Sequence, residues 1–211
     1  MTNITKKTTT KTATNTTATN RCSDQSRETK ETRVDLRLDL EGDGRSVIDS
    51  GLPFLDHMLT AFARHARFDL ELRASGDLQV DDHHTVEDCA IVLGRALGEA
   101  LGDRAGIARF GSAHAPLDEA LARAVVDLSG RPWPAIRLDL RREMLGSVAT
   151  ENLTHFLNTF AIEGRLALHV DVLAGENDHH KVEAAFKALA LAIRTAVRVE
   201  GESVPSTKGV L

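Results

Sequence analysis

The sequence is poor in cysteine and has no long apolar segment. Its 211 residues include only two cysteines, Cys22 and Cys89, which are too few for a disulfide framework and point to a reducing compartment. No segment approaches the roughly 20 apolar residues that span a bilayer, and the N-terminus lacks the apolar stretch of a secretory signal. We therefore expect a cytoplasmic protein that does not enter a membrane.

Acidic residues are missing from the N-terminal segment and in excess elsewhere. Residues 1–23 contain four basic residues and no acid, whereas the whole chain has a formal net charge of -5. An acidic body does not suit binding to a phosphate backbone, so nucleic acid is excluded as the main partner. The Thr-rich composition of residues 1–28 predicts a disordered tail. The alternative for this tail is an organellar transit peptide.

Apolar residues recur with two different periods from about residue 29 onward. Alternation predicts strands within residues 31–44, 68–76, 122–140 and 166–176, and helical spacing predicts helices within residues 52–66, 85–102, 150–165 and 180–197. The order of these elements repeats. The sequence therefore predicts an α+β fold in which a sheet-plus-two-helices unit is duplicated, with halves at 29–120 and 121–211 packed as one domain.

The two halves share histidines and acidic residues rather than an apolar frame. "FLDHMLTAF" corresponds to "NLTHFLNTF", and "DDHHTVEDCAIVL" corresponds to "NDHHKVEAAFKAL". The helix histidine and the double histidine are 26 positions apart in the first half and 24 in the second. A duplication that served only packing would not need to repeat these residue types, so the pattern indicates a repeated metal site.

The repeat gives eight candidate metal ligands. They are His57, His83, His84, Glu87, His155, His179, His180 and Glu183. Because adjacent residues of a helix diverge by about 100°, both histidines of a pair can hardly face one ion. We expect one histidine of each pair to stay with its own glutamate while the other crosses to the second motif, giving two sites of three histidines and one glutamate. The sequence leaves open whether the crossing occurs within a chain or between subunits.

The ligand types narrow the choice of metal. Imidazole and carboxylate ligands without thiolate favour Mn, Fe, Zn or Ni over Ca or Mg. Cys89 follows Glu87 by two positions on another helix face and is predicted to pack in the core. His65 lies eight positions after His57 and is a candidate to line the same cavity, whereas His114 and His169 fit nothing in the repeat.

Several motifs together resemble one family of histidine biosynthesis, the imidazoleglycerol-phosphate dehydratases. The resemblance rests on "FLDHM", "DDHHTVED", "DLSGRPW", "NDHHKVEAAFKAL" and "PSTKG", and it runs from about Thr29 to Leu211. It implies a fold similar to ribosomal protein S5 domain 2. It also implies dehydration of D-erythro-imidazole glycerol phosphate to imidazole acetol phosphate through a metal-bound imidazolate, with two Mn²⁺ ions per active site. The implied assembly is a homo-oligomeric shell of 24 subunits with metal sites between subunits.

The resemblance also implies roles for individual residues. Glu31 matches an acid–base glutamate near the reacting carbons, and His57, His83 and Glu183 belong to the implied catalytic set. The implied substrate-binding residues are Glu31, His65, Arg109, Arg131, Lys187, Ser206 and Lys208, of which the two arginines, Ser206 and Lys208 match phosphate-binding positions. Arginine, lysine and serine suit phosphate oxygens because each of them donates hydrogen bonds.

Three acidic neighbours of the histidines have two predicted roles. Asp56, Asp82 and Asp178 could orient imidazoles by accepting their second N–H. For Asp82 and Asp178 the alternative is to cap a helix N-terminus.

Two other classes of function are compatible with these ligands. A dinuclear metallohydrolase would hold its ions about 4 Å apart, usually with a bridging carboxylate. A metal-storage or structural metal protein would tolerate replacement of Glu31.

Overall fold

The computed structural model describes residues 21–209, and it contains two halves with the same order of elements. In chain order these elements are β1 (Cys22–Glu28), β2 (Thr32–Asp39), β3 (Ser46–Asp49), α1 (Pro53–Ala66), β4 (Asp69–Gly76), α2 (His83–Ala100), β5 (Phe110–Leu117), β6 (Ala120–Asp127), β7 (Trp133–Arg137), β8 (Met144–Leu145), β9 (Val148–Ala149), α3 (Thr150–Glu163), β10 (Ala167–Ala174) and α4 (Asp178–Ala196). Apart from the short hairpin β8–β9, each half is three strands, a helix, a strand and a helix.

Each half builds one four-stranded sheet. The strand orders are β1-β2-β4-β3 and β5-β6-β10-β7. In each sheet three strands are antiparallel, and the last strand, β3 or β7, is parallel to its neighbour. The identical topology confirms the predicted α+β fold made of a duplicated unit.

The helices pair across the two halves. Helix α2 packs on the first sheet and α4 on the second, α1 packs against α4, and α3 packs against α2. One continuous apolar core joins the halves, with Leu55, Phe156 and Phe186 among its fully buried side chains. None of the helices within residues 21–209 is both long and apolar enough to cross a bilayer. The cross-pairing decides which repeat motif each helix histidine meets.

Five strands were not predicted from the sequence, namely β1, β3, β5 and the two short strands β8 and β9. Residues Cys22–Glu28, expected in a disordered tail, form β1 and pair with β2 along their whole length. This edge strand has almost no apolar residues, so its order comes from backbone hydrogen bonds that a hydrophobic pattern does not record. Strand β3 lies outside the predicted strand region 31–44 and is only four residues long. The part of the expected tail within residues 1–20 lies outside the described residues.

Strand β5 belongs to the second half, so the boundary between the halves lies before the predicted position at residue 120. It pairs with β6 in the second sheet, so a division at residue 120 would cut this hairpin, and the second half begins between α2 and β5. The strand was missed because its inward positions are small residues such as Gly111. A Cβ at Gly111 would lie 1.9 Å from the Ala192 carbonyl oxygen of α4, so close contact with a helix excludes the usual large apolar residues.

Two glycines on α2 allow a test of this helix packing. A Cβ at Gly94 would lie 2.8 Å from the Phe160 carbonyl oxygen, whereas a Cβ at Gly98 would meet nothing closer than 3.8 Å. We expect Gly94→Ala to lower the free energy of unfolding by about 1–3 kcal/mol through overpacking. Gly98→Ala should raise it by about 0.5–1 kcal/mol because alanine is the better helix former. Urea unfolding measures both, and equal effects would contradict the close approach of α2 and α3.

Candidate metal centres and active site

Two clusters of histidine and glutamate are the only groups of metal-ligating side chains of this size within residues 21–209. The first, called triad A, is His57, His179 and Glu183; the second, triad B, is His83, Glu87 and His155. Within each triad one ligand atom per residue lies within 4.8 Å of the others. Each triad combines a double-histidine helix of one half with the helix histidine of the other half, as the cross-pairing of helices requires.

Triad A converges on one carboxylate oxygen. Nε2 of His57 and Nε2 of His179 lie 3.1 and 3.3 Å from Glu183 Oε2. Lys187, one turn later on α4, lies 2.7 Å from the other oxygen. Burial opposes ionisation of Glu183, but hydrogen bonds from Lys187 and His57 hold the pKa of this carboxyl below its usual range. A carboxylate that stays charged beside two imidazoles suits a cation.

Triad B also consists of two histidines and one glutamate, and a further side chain of α3 contacts one of the histidines. His155 Nε2 lies 3.0 Å from Glu87 Oε1, and the His83 ring stacks on the His155 ring with centroids 4.9 Å apart. The amide oxygen of Asn152 is 3.0 Å from His83 Nδ1. Because an amide oxygen only accepts, Nδ1 carries the proton and Nε2 keeps its lone pair. Asn152 was missed by sequence reasoning, since nothing in its local pattern signals this contact.

The geometry of both triads fits a transition metal. Ligands about 2.0–2.2 Å from one ion lie roughly 3–3.5 Å apart, which is close to the distances between the nitrogens and carboxylate oxygens. Two imidazoles and one carboxylate without a thiolate suit Mn, Fe, Zn or Ni. With three ligands from the chain, coordination positions remain for substrate or for a further side chain.

The second histidine of each pair lies outside both triads. The rings of His83 and His84 are inclined by 78°, and those of His179 and His180 by 87°. The predicted divergence is therefore present. The expected set of three histidines and one glutamate is not found within residues 21–209, however, because His84 and His180 reach neither triad. The histidines that cross between the halves are His57 and His155.

Carboxylates hold both of these outward histidines. His84 Nδ1 lies 3.1 Å from Asp77 Oδ2, and His180 Nδ1 lies 2.7 Å from Glu119 Oε2. These hydrogen bonds raise the pKa of both imidazoles. Backbone N–H groups at Asn177 and Glu176, together with His180, lower the pKa of Glu119 to about 2.

Glu31 lies beside an outward histidine rather than beside a triad. It is in the β1–β2 turn, is 55% exposed, and its Oε2 is 3.9 Å from His84 Nε2. The corresponding β5–β6 turn places Asp118 Oδ2 3.8 Å from His180 Nε2. Each hairpin turn therefore presents a carboxylate to the outward histidine of its own half.

The four residues matched to phosphate binding lie together. Arg109, Arg131, Ser206 and Lys208 line one pocket of about 530 Å³, and no triad residue lines it. Arg109 is already engaged, since it donates two hydrogen bonds to Asp127 and one to a backbone carbonyl. Arg131 is exposed and has no ion pair within residues 21–209, so its guanidinium can turn to an anion.

His65 is close to Lys187 but does not belong to triad A. It lines a different pocket, together with Asp43, Arg64, Arg67, Leu191 and Arg194. Burial, and then the charge of Lys187, lower the pKa of His65. His114 and His169 form no part of either triad, and Cys89 is fully buried, as expected.

The three aspartates next to the ligand histidines have other partners. Asp56 accepts hydrogen bonds from Ser50, Asp82 from the Ala149 N–H, and Asp178 from two backbone N–H groups at residues 141 and 142. None of them accepts a hydrogen bond from an imidazole within residues 21–209. Asp82 stands at the N-cap position of α2 but makes no side-chain cap hydrogen bond, and Asp178 is not the N-cap of α4. Asn177 caps α4 instead. These carboxylates fasten the helix starts to neighbouring loops.

Comparison with known proteins matches this chain to one family. The family model described as imidazoleglycerol-phosphate dehydratase matches residues 50–193. The dehydratase of Methanothermobacter thermautotrophicus is 53% identical over 191 residues, with 90% of this chain and 98% of the relative covered. That of Phytophthora nicotianae is 59% identical over 187 residues, which cover 88% of this chain but only 41% of that longer relative.

Solved structures give the same result. The dehydratase of Staphylococcus aureus aligns with a TM-score of 0.77 at 36% identity, covering 84% of this chain and 99% of that one. The Pyrococcus furiosus structure, in complex with (S)-C348, aligns with a TM-score of 0.76 at 40% identity, covering 89% and 100%. This chain therefore belongs to the imidazoleglycerol-phosphate dehydratase family.

Proposed function

We propose that this chain removes water from imidazole glycerol phosphate to give imidazole acetol phosphate in histidine biosynthesis. The observation that carries this is the presence of two histidine–glutamate triads in a chain of this family. An imidazole ring has two nitrogens, so two equivalent cation sites match the reacting end of this substrate. The free thiols Cys22 and Cys89 are compatible with the reducing cytoplasm.

The two triads are the proposed holders of two Mn²⁺ ions. When bound, such ions would supply Lewis acidity that lowers the pKa of the substrate ring and favours its imidazolate form. The imidazole nitrogens of the four histidines and the carboxylates of Glu87 and Glu183 would supply the donor atoms. Each triad has its own glutamate, and no carboxylate is shared between the triads within residues 21–209. A bridged dinuclear hydrolase is therefore the poorer fit.

Glu31 is the proposed acid–base residue. The reaction breaks a C–H bond and a C–O bond and releases water, so one carboxylate can take the carbon proton and protonate the departing hydroxyl. The exposed side chain of Glu31 can reach a substrate from the turn between β1 and β2.

Assembly of several copies is part of the proposal. The outward histidines with Glu31, the triads, and the phosphate pocket are separate groups of side chains in one chain. A homo-oligomeric shell of 24 copies would bring them together, with His84 and His180 completing the triads of neighbouring subunits as third imidazoles. This arrangement would give the expected three histidines and one glutamate per ion.

Arg131→Ala is expected to weaken substrate binding more than catalysis. Loss of a charge-assisted contact of about 1.5–3 kcal/mol with phosphate should raise KM by roughly 10- to 100-fold with a small effect on kcat. Steady-state kinetics measures both values, and Arg141→Ala removes an exposed arginine outside this pocket as a control. An unchanged KM would place the phosphate elsewhere.

The proposed function is tested by product formation. Purified protein is incubated with Mn²⁺ and imidazole glycerol phosphate, and products are identified by mass spectrometry beside a chelator-treated control. Imidazole acetol phosphate formed only with metal is the expected result. Absence of this product would overturn the proposal, and release of inorganic phosphate would favour the hydrolase instead.

A further inference from the structure

We propose that Asp77 and Glu119 are positioning residues for His84 and His180. Each carboxylate holds its histidine through Nδ1, so that the Nε2 lone pair is presented away from the triads of its own chain. The inference rests on the proposed function, because it assigns the outward histidines to ions that neighbouring copies hold. Neither Asp77 nor Glu119 belongs to the repeated histidine motifs.

The contacts of His84 and His180 decide which ring nitrogen carries the proton. A carboxylate oxygen accepts the hydrogen bond, so the proton lies on Nδ1 of His84 and of His180, at 3.1 and 2.7 Å from Asp77 and Glu119. In the neutral imidazole Nε2 is then the unprotonated, basic nitrogen. Histidines that bind metal commonly donate their other N–H to a carboxylate in this way, which fixes the ring and makes it a stronger ligand.

The same arrangement occurs in both halves without being inherited by sequence. Asp77 immediately follows β4 in the loop that leads to α2, whereas Glu119 lies in the turn between β5 and β6. The two carboxylates therefore come from different elements, and the textual repeat does not pair them. Each half therefore has a carboxylate hydrogen-bonded to its outward histidine, although the two carboxylates come from different positions in the fold. This recurrence indicates that the outward histidine must be held in one orientation.

The carboxylates of Asp77 and Glu119 are themselves held in place. Glu119 Oε1 accepts the backbone N–H groups of Glu176 and Asn177 at 3.1 and 2.8 Å, just before α4 begins. The side chain of Asp77 is only 16% exposed. A surface ion pair between freely moving groups would show neither feature, and a fixed acceptor limits rotation of the imidazole.

The nitrogens that this arrangement exposes have no hydrogen-bond partner within residues 21–209. Nε2 of His84 is 3.9 Å from its nearest carboxylate and Nε2 of His180 is 3.8 Å from its own, which is beyond hydrogen-bond distance. In contrast, Nε2 of His57 and of His179 faces Glu183. The outward Nε2 atoms are therefore available to an ion brought by another copy.

The test measures Mn²⁺ binding as well as turnover. Asp77→Asn and Glu119→Gln keep the side-chain shape but remove the charge, and Asp77→Glu and Glu119→Asp keep the carboxylate. Glu176→Gln removes an exposed charge beside the same loop without touching His180 and serves as the control. The dissociation constant for Mn²⁺ is obtained by titrating metal-free protein with Mn²⁺ and detecting the free ion by electron paramagnetic resonance. The particle mass is measured by light scattering.

The amide variants are expected to bind Mn²⁺ about 10- to 100-fold more weakly and to need correspondingly more Mn²⁺ to assemble. The control should match the parent, and the two carboxylate-retaining variants should recover part of the affinity. Amide variants with the affinity of the parent, or with lowered thermal stability but unchanged affinity, would overturn the inference. A parent protein that binds no Mn²⁺ would instead refute the proposed function itself.

Discussion

Replacing either triad glutamate by glutamine is expected to reduce dehydration by about 10³-fold or more. Glu183→Gln and Glu87→Gln each remove the only anionic ligand of one triad, and an amide oxygen is a weaker ligand for a divalent cation. A bound ion is worth several kcal/mol of charge stabilisation in the transition state, which corresponds to this loss in rate. Both variants should retain less than the parent content of Mn²⁺, measured by elemental analysis after dialysis.

The pair of variants tests whether both triads are needed. If the substrate ring uses two ions, Glu183→Gln and Glu87→Gln should lose dehydratase activity to a similar extent. Glu163→Gln, which affects only a partly exposed pair with Arg95, controls for removal of a helix glutamate. A variant that lost its ion but kept the parent rate would show that its triad is structural.

Glu31→Gln is expected to lower kcat by about 10²- to 10⁴-fold, the usual contribution of general acid–base catalysis. Glutamine matches the size of glutamate but cannot take a proton from carbon. Since Glu31 lies outside both triads, the content of Mn²⁺ and the particle mass should stay close to those of the parent. Steady-state kinetics and elemental analysis on the same preparations measure these quantities.

The matched control for Glu31 is Glu28→Gln. Glu28 is an exposed glutamate at the end of β1 whose side chain lies 3.5 Å from Arg33. It should keep parent kinetics. A Glu31→Gln protein with the kcat of the parent would show that Glu31 is not the acid–base residue. A loss of bound Mn²⁺ in this variant would instead make Glu31 a ligand.

The repeat in the sequence was sufficient to find the residues of both triads. Histidine and glutamate spaced by four positions, as in His179 and Glu183 or His83 and Glu87, share a helix face, and this local rule needs no tertiary structure. The same rule predicted that His84 and His180 diverge from their neighbours. Fold class followed equally well, because periods of 2 and 3.6 in apolar residues identify five of the ten strands and all four helices within residues 21–209.

Local patterns could not supply contacts between distant elements. Asn152, Asp77 and Glu119 reach their histidines from positions 69, 7 and 61 residues away, and only Asp77 is near its partner in sequence. Strands β1 and β5 were missed for a related reason. Their pairing depends on backbone hydrogen bonds and on close helix contact rather than on an apolar pattern.

The sequence by itself determined the duplicated fold and the chemical character of two candidate metal sites. The tertiary structure decided how the repeats combine: α1 packs on α4 and α3 on α2, so His57 joins the motif of the second half and His155 that of the first. It also decided which histidine of each pair lies in a triad. The physical reason is that helix periodicity fixes directions around one helix, whereas the partner that a side chain meets depends on long-range packing of apolar faces.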